Sequence, residues 1–385
     1  MKRNLMYLLI LVMGLTLVLS GCSAPEADTN ADPADEVIKI GVFEPMTGAN
    51  AAGGEMEVEG IKLANELYPT VLGKKVELII ADNKSDKVEA ANAAVMLVEK
   101  EKVNAVIGSW GSSLSIAAGP IFSDAGVPAV AASATNPLVT MGNEYYTRVC
   151  FIDSFQGTVM ANYTFNEIGA TKVAVIQEIS SDYSVGLVKY FEEAYIGFGG
   201  EIVGKSNFNT GDQDFTAQLT NIKELNPDAI FVPSNYTEGA LLIKQARQLG
   251  ITVPFVGTDT WEAPEFLEVG GDEVQGAVFS TFFTTEVPIT KESEKFLNAY
   301  REKYNKEPAS VTALGYDAYL VILAAIEKSG STDPAVIAEA IRATTDFEGA
   351  AGMITLNEEG DAIKSAVIKH VDGGEFKFLT IVDPK

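Results

Sequence analysis

Short apolar runs rich in β-branched residues alternate with amphipathic segments along most of the chain. Val37–Phe43 has the composition of a strand, and Glu55–Leu67 carries its apolar residues at helical spacing. The same alternation predicts further strands at 75–81, 103–108, 127–131, 172–177, 201–205, 229–232 and 253–256, with helices at 87–101, 114–124, 155–168, 185–198, 215–224 and 238–249. This order predicts an α/β fold in which helices cover both faces of a parallel sheet.

The alternation occurs twice, because it restarts after residues 148–153. Two α/β units of similar size are therefore visible in the pattern alone. Three helical segments without intervening strands follow, at 293–304, 311–328 and 333–343, and the last forty residues are predicted as strands and turns. The length of 385 residues is consistent with two domains, at roughly 100–200 residues per domain.

The N-terminus has the layout of a secretory signal peptide, with a short basic start before an apolar run at 5–19. That run is short for a helix that spans a membrane. The following Leu19-Ser20-Gly21-Cys22 resembles the lipobox of bacterial lipoproteins, in which the cysteine is lipidated and becomes the first mature residue. We therefore expect a signal peptide at 1–21, a lipid anchor on Cys22, and a flexible acidic tether over 22–36.

Composition narrows the possible chemistry further. The 28 Lys and Arg residues face 53 Asp and Glu residues, and loss of the signal peptide, with its two cations, lowers the net charge from −25 to −27. Nucleic acids and anionic lipid surfaces are therefore poor partners. His370 is the only histidine, and Cys150 is the only thiol left if Cys22 is lipidated. We expect no metal site, no cofactor, no internal disulfide and no enzymatic activity.

One motif resembles a nucleotide-binding loop but has the wrong context. Residues 199–206 fit the pattern G-x4-G-K-[ST]. A phosphate-binding loop follows a strand and opens a helix, whereas here a predicted helix precedes the motif and its middle is strand-like. The sequence therefore predicts a helix C-cap and a turn at this position.

Hydroxyl-rich loops follow two consecutive strands of the first unit, where open α/β sheets bind their ligands. These loops are Ser109–Ser113 and Ala132–Pro137. Hydroxyls and free N–H groups at a helix N-terminus suit a small anion such as a carboxylate. Ordinary N-capping by Ser112 or Ser113 is the alternative for the first loop. Two such loops side by side favour ligand binding.

The second unit has three corresponding loops, Ser181–Ser184, Ser234–Tyr236 and Gly257–Trp261. Together they supply an aromatic face, amide groups and the carboxylate of Asp259. A carboxylate at this position suits an ammonium group, and a helix N-cap before Trp261 is the alternative.

These features resemble the type I solute-binding proteins of ABC importers, in the branched-chain amino acid group. The most specific stretches are 40–48, 105–115, 128–137 and 233–250. The resemblance implies two Rossmann-like lobes that are joined by three crossover segments and close on a ligand in the cleft between them. It places lobe 1 at 37–152 plus 283–355 and lobe 2 at 153–282 plus 356–385.

The resemblance also implies roles for individual residues. Ser112 and Thr135 match residues that hold the ligand's α-carboxylate, and Thr135 and the carbonyl of Ser133 also match acceptors of its α-ammonium group. Asp259 matches an acidic residue that completes the ammonium site, and Tyr183 matches a tyrosine that closes over the ligand. The expected ligand-binding set is Trp110, Ser112, Ser113, Ser133, Ala134, Thr135, Tyr183, Asn235, Tyr236 and Asp259.

Some positions depart from this group, so the head-group site is better defined than the side-chain pocket. The loop 49–54 lacks a tyrosine found there in some leucine-type binders, Asn235 stands where members can carry an aromatic residue, and Gly111 replaces a disulfide cysteine. Trp110 and Asn235 are expected to tune the choice of side chain. A binder of an amide, urea or an aromatic acid is the alternative on the same fold.

The expected function is that of a lipid-anchored, monomeric binding protein on the outer face of the cell membrane. It would bind a branched-chain or other hydrophobic amino acid and deliver it to ABC permease subunits. A ligand sensor that docks on a membrane receptor is the alternative. A hydrolase that used Ser112 or Thr135 would lack a nearby base, because His370 lies in the predicted C-terminal strands.

Overall fold

The computed structural model describes residues 37–384. The predicted signal peptide at 1–21, the lipidation of Cys22 and the tether at 22–36 lie outside the described residues.

Strands and helices alternate through most of the described chain. The strands are β1 (Ile38–Glu44), β2 (Thr70–Val71), β3 (Lys74–Asp82), β4 (Ala105–Ile107), β5 (Ala129–Ala131), β6 (Tyr146–Arg148), β7 (Lys172–Glu178), β8 (Glu201–Phe208), β9 (Ala229–Phe231), β10 (Phe255–Gly257), β11 (Val278–Thr281), β12 (Phe347–Gly349), β13 (Gly352–Ile354), β14 (Ala366–Asp372) and β15 (Glu375–Val382). The α-helices are α1 (Ala51–Leu67), α2 (Lys87–Val95), α3 (Ser112–Ala125), α4 (Asp153–Asn162), α5 (Asp182–Gly197), α6 (Thr216–Glu224), α7 (Tyr236–Gln248), α8 (Pro264–Gly270), α9 (Lys291–Tyr304), α10 (Ser310–Ser329) and α11 (Pro334–Arg342). Helices α2 and α4 continue into short π-helical segments, Met96–Glu101 and Tyr163–Glu167.

The strands form two principal sheets. The first has the order β2-β3-β1-β4-β5-β6, and all its neighbours are parallel except β2 and β3. The second has the order β15-β14-β11-β10-β9-β7-β8, with parallel pairing from β8 to β11 and antiparallel pairing of β14 with both its neighbours. We call each sheet with the helices packed on it a lobe, first and second in this order. The α/β prediction with two parallel-sheet lobes is confirmed.

The chain passes between the lobes three times, after β6, after β11 and before β14. Helix α10, which lies between the second and third passages, packs along α1 of the first lobe. It is long and apolar enough to cross a membrane, yet 89% of its apolar stretch is buried inside the protein. Helix α10 is therefore part of the core. The lobe boundaries given above by residue number stay a prediction.

Most predicted elements are present, and the departures have local causes. Helix α1 begins at Ala51 rather than residue 55, because Gly53 and Gly54 in its first turn hide the helical pattern. A Cβ atom on Gly54 would lie 2.2 Å from the carbonyl oxygen of Pro45, so close packing requires glycine there. Short strands such as β6 were missed because three residues show no periodicity.

Candidate ligand-binding site

The carboxyl ends of the parallel strands of both lobes face each other across a cavity of about 100 Å³. Residues from both lobes line it. Of the predicted site residues, the lining includes Trp110, Ser112, Ser113, Ser133, Tyr183, Asn235 and Asp259. Ala134, Thr135 and Tyr236 are buried but are not in the lining, and Ala134 and Tyr236 directly follow the lining residues Ser133 and Asn235. The structure thus brings the predicted set together at one place.

The loop between β4 and α3 delivers the first group. Gly111 has a φ of 94° and precedes the helix, which begins at Ser112. The Ser112 hydroxyl accepts a hydrogen bond from the backbone N–H of Asn136 at 3.1 Å. Neither Ser112 nor Ser113 is the N-cap residue, and no side chain caps α3. The capping alternative is therefore wrong, and the α3 N-terminus presents its dipole and hydroxyls to the cavity.

Arg148 fixes the loop after β5. Its guanidinium donates hydrogen bonds to the carbonyl oxygens of Ala134 at 2.5 Å and Asn136 at 2.9 Å, and to a carboxylate oxygen of Asp361 at 2.6 Å. Asn136 itself caps a short 3₁₀ turn by accepting a hydrogen bond from a backbone N–H, so part of this loop is a cap. The hydroxyl of Thr135 is buried and has no hydrogen-bond partner among the described residues. A buried hydroxyl without a partner favours a ligand contact at this point.

The second lobe supplies a buried carboxylate. Oδ1 of Asp259 accepts hydrogen bonds from Nε2 of Gln156 at 2.5 Å and from the hydroxyl of Tyr183 at 2.8 Å. Burial raises the pKa of Asp259 to about 6, although both hydrogen bonds favour the charged form. Asp259 lies at the start of a 3₁₀ turn whose N-cap is Thr258, so the carboxylate is not used as the cap. It is available to a cationic group.

Several contacts join the two lobes at the mouth of the cleft. Nδ2 of Asn235 donates to Oδ1 of Asn50 at 2.9 Å, and the hydroxyl of Tyr236 donates to the carbonyl oxygen of Ala49 at 3.1 Å. Lys87 and Asp182 form an ion pair at 2.7 Å between α2 and α5. The cleft is therefore closed, with direct hydrogen bonds from one rim to the other.

Sequence reasoning missed the buried carboxyl group of Glu178, which lines the cavity, and four further buried polar side chains around it. Glu44 and Glu57 lie in the first lobe, and Asp153 and Gln156 lie in α4 of the second. For Glu57, Asp153 and Gln156 the signal is a polar residue on a helix face that is otherwise buried. Glu57 shares its face with Ile61 and Ala64 at i+4 and i+7, and all three are fully buried.

Comparison with known proteins assigns the family. The model of the periplasmic binding protein family matches residues 37–375. This chain belongs to that family. The Leu/Ile/Val-binding protein homolog 3 of Brucella melitensis is 31% identical over 330 residues, which cover 84% of this chain and 88% of that protein.

Solved structures of periplasmic binding proteins superpose on nearly all of the described chain. A leucine binding protein LivK from Thermotoga maritima has 47% identity and a TM-score of 0.89, and the match covers 90% of this chain and 99% of that one. The substrate-binding protein LivJ from Streptococcus pneumoniae, in complex with isoleucine, has 35% identity and a TM-score of 0.86, with 91% and 100% covered.

Two other features of this periplasmic binding protein lie away from the cavity lining. Helix α5 ends at Gly197 and β8 begins at Glu201, so the motif at 199–206 is a turn and a strand, as predicted, rather than a phosphate-binding loop. His370 lies in β14, opposite Val278 of β11. Among residues 37–384, no three His, Cys, Asp or Glu side chains are grouped so that they could hold a metal ion.

Proposed function

We propose that this periplasmic binding protein is the extracytoplasmic substrate-binding component of an ABC transporter and binds a branched-chain or other hydrophobic amino acid. The observation that carries the proposal is the pairing of opposite polar ends within one closed cavity. The α3 N-terminus with Ser112 and Ser113 lies in the first lobe, and the carboxylate of Asp259 lies in the second. A zwitterionic head group complements both ends.

The head group would be held by charge-assisted hydrogen bonds. Its carboxylate fits the hydroxyls and N–H groups at the start of α3, and its ammonium group fits the space between Asp259 and the loop that carries Ser133 and Thr135. Such bonds are roughly twice as strong as neutral ones in a site closed to water. The relatives named Leu/Ile/Val-binding protein and the isoleucine complex support this assignment.

Aromatic rings provide a surface for the ligand's side chain. Trp110 and Tyr183 line the cavity from opposite lobes, and the ring of Tyr236, outside the lining, packs against Trp110 with the two centroids 6.0 Å apart. Burial of an aliphatic side chain against such a surface contributes about 1.5–3 kcal/mol. The amides of Asn50 and Asn235 border this region, and Trp110 and Asn235 are the positions that would tune side-chain choice.

The second candidate is a binder of an aromatic acid, an amide or urea. A solute-binding protein from Rhodopseudomonas palustris, 26% identical with a TM-score of 0.79, was crystallised with 3,4-dihydroxybenzoic acid. A ligand without an ammonium group would leave the buried Asp259 without a cationic partner, which is costly. A sensor that docks on a receptor would use the same binding site, and neighbouring permease and ATPase genes would distinguish transport from sensing.

The remaining parts of the proposal concern the location of the protein. Residues 1–21 would be removed as a signal peptide, and Cys22 would be lipidated and hold the protein at the outer face of the cell membrane through the tether at 22–36. The mature protein would be a monomer that delivers its ligand to permease subunits and performs no catalysis. Intact mass spectrometry of the membrane fraction tests the anchor, because Cys22→Ser should abolish the lipid mass.

Titration calorimetry tests the ligand. We expect leucine, isoleucine or valine to bind with a dissociation constant around the micromolar level, which corresponds to a binding free energy of about −8 kcal/mol. Benzoate, acetamide and urea serve as competitors from the alternative class. Asp259→Asn keeps the shape of the side chain and should weaken amino acid binding by tenfold or more. An absence of heat with every hydrophobic amino acid, or equal affinity in Asp259→Asn, would refute the assignment.

A further inference from the structure

Two buried carboxyl groups lie directly behind the ligand loops of the first lobe. Glu44 ends β1, and its Oε2 accepts hydrogen bonds from the backbone N–H of Trp110 at 2.6 Å and from the Ser109 hydroxyl at 3.5 Å. Glu57 on α1 accepts a hydrogen bond from the hydroxyl of Ser133. Each carboxyl therefore fixes one of the two loops that line the cavity.

The two carboxyls also share an electrostatic environment. Both side chains are completely buried, and burial is the largest cause that raises the pKa of each group, to about 7 for Glu57 and well above the usual range for Glu44. The charge of Glu57 raises the pKa of Glu44 further. A hydrogen-bonding interaction between the two carboxyls raises the pKa of Glu44 and lowers that of Glu57, and Oε1 of Glu44 and Oε2 of Glu57 have no other partner among the described residues. The pair therefore retains a proton at neutral pH, and Glu57, whose pKa is raised less, is the member from which we expect a proton to leave.

The groups around Glu57 come from several elements. Glu44 approaches from β1, Tyr146 from β6, Cys150 from the segment after β6, and Asp259 from the second lobe. On the packed helix α10, the carboxyl group of Asp317 accepts hydrogen bonds from the backbone N–H groups of residues 350–351 and pairs with Lys364. Arg148 beside Tyr146 and Cys150 is engaged by Asp361.

Glu57 is electrostatically linked to the ammonium half of the cavity. Its partner Ser133 lines the cavity together with Asp259, whose charge raises the pKa of Glu57 across the cleft. Two further groups on this side, the hydroxyl of Thr135 and the carboxyl of Asp153, are buried with no hydrogen-bond partner among residues 37–384 other than each other. The charge of Asp259 likewise raises the pKa of Asp153. This half of the site thus has more carboxyl groups than a single ammonium can neutralise, so protonation must balance the excess.

We propose that Glu57 is a positioning residue of the ammonium half-site and that ligand binding releases the proton of its carboxyl group to the solvent. This inference rests on the proposed function, because it requires a ligand with an ammonium group. The carboxylate formed in this way accepts the hydrogen bond of Ser133 more strongly and places a second negative charge near the ammonium. Binding of the ammonium group and ionisation of Glu57 thereby favour each other.

The direction of the pH dependence follows from linkage. In the free protein the pKa of Glu57 is raised to about 7, and a nearby ammonium group lowers it. The free protein therefore holds more protons than the complex at pH values between the lowered pKa of the complex and about 7. Affinity should rise with pH by up to about tenfold per unit between roughly pH 5 and 7, and level off above about pH 8.

Calorimetry in buffers with different heats of ionisation counts the protons directly. Leucine, or whichever branched-chain amino acid binds most tightly, would be titrated at pH 6.5 in phosphate, imidazole and Tris. The slope of the observed heat against the buffer's ionisation heat should correspond to about half a proton or more released per ligand. In Glu57→Gln, which keeps the acceptor for Ser133, the slope should fall and the affinity at pH 8 should drop about tenfold.

Two variants separate this role from a merely structural one. Glu55→Gln makes the same charge change on the same helix at an exposed position and should leave the proton count at the wild-type value. Ser133→Ala removes a hydrogen bond that lowers the pKa of Glu57, so the window of proton release should move to higher pH. A loss of packing alone would lower stability and affinity at every pH without changing the number of protons.

The outcomes distinguish this inference from the proposed function. Heats that are independent of the buffer in the wild type, or an unchanged slope in Glu57→Gln, would overturn the role of Glu57 while amino acid binding stands. If Glu57→Gln does not fold, the wild-type slope and the shift in Ser133→Ala decide, and an unshifted window in Ser133→Ala overturns the inference. A wild-type protein that binds no amino acid refutes the proposed function and this inference with it.

Discussion

Replacement of Arg148 by methionine should destabilise the protein and weaken ligand binding together. Arg148 is completely buried at the end of β6, and its ion pair with Asp361 reaches the segment that passes back to the second lobe. The same guanidinium holds the carbonyls of Ala134 and Asn136 and thereby shapes the ligand loop. Arg148 thus stabilises both a segment that connects the lobes and the ligand-binding loop after β5.

The expected cost follows from the groups left behind. In Arg148→Met, the buried carboxylate of Asp361 keeps only the hydroxyl of Thr140, at 2.8 Å, as a side-chain donor, and two buried carbonyls lose their charged donor. Removal of one partner from a buried ion pair costs about 3–5 kcal/mol. The loosened loop should also reduce ligand affinity by about tenfold, or 1.4 kcal/mol.

Equilibrium urea unfolding, followed by the fluorescence of the buried Trp110 and Trp261, measures the change in the free energy of unfolding. Arg301→Met is the matched control, because Arg301 forms a two-pronged pair with Glu307 at 2.8 Å on the surface and should lose no more than about 1 kcal/mol. The double variant Arg148→Met, Asp361→Asn should be less destabilised than the sum of its parts. A loss in Arg148→Met as small as that of the control would refute this reasoning.

Two further predictions concern pH and packing. Besides Glu44, five buried carboxyls have pKa values raised by burial. The ligand-free fold therefore binds more protons than the unfolded chain between about pH 4 and 8, and its free energy of unfolding should fall by about 1 kcal/mol or more per unit from pH 6 to 7. Urea unfolding that shows constant or rising stability would contradict this prediction. These carboxyls are Glu57, Asp153, Glu178, Asp259 and Asp317. Gly54→Ala should lower the free energy of unfolding by about 1–3 kcal/mol because its Cβ would contact the Pro45 backbone. The control Gly197→Ala, with open space around its Cβ, should be neutral or slightly stabilising. Thermal unfolding measures both variants.

The architecture was predictable because its signals are local and repeated. Strands such as β1 and β7 are mostly buried and rich in β-branched apolar residues, and the helices between them show clear amphipathic spacing. The position of the ligand loops followed from topology, since parallel strands end at one edge of a sheet. The loops that carry Ser112, Ser133 and Asp259 therefore meet in the cavity as expected.

The residues that the pattern did not reveal are buried polar groups whose partners are distant in sequence. Glu57 is 76 residues from Ser133, and Gln156 is 103 residues from Asp259. A polar residue on an apolar helix face signals that some partner exists, but it does not identify that partner. Arg148 was hidden in the same way, because its charge at the end of a three-residue strand argues against burial until Asp361 is found 213 residues later.

The buried carboxyls have a further consequence for how the closed cleft is stabilised. Closure brings Asp259 of the second lobe within electrostatic reach of Glu57 in the first, and the charge of Asp259 also acts on Asp153. Without a cation between them, closure must either protonate these groups or leave like charges facing each other in a medium of low dielectric constant. The ammonium group of an amino acid removes this penalty, whereas an uncharged ligand of the same shape does not. Discrimination for an amine would then arise from the cost of closure as well as from direct contacts to the ligand.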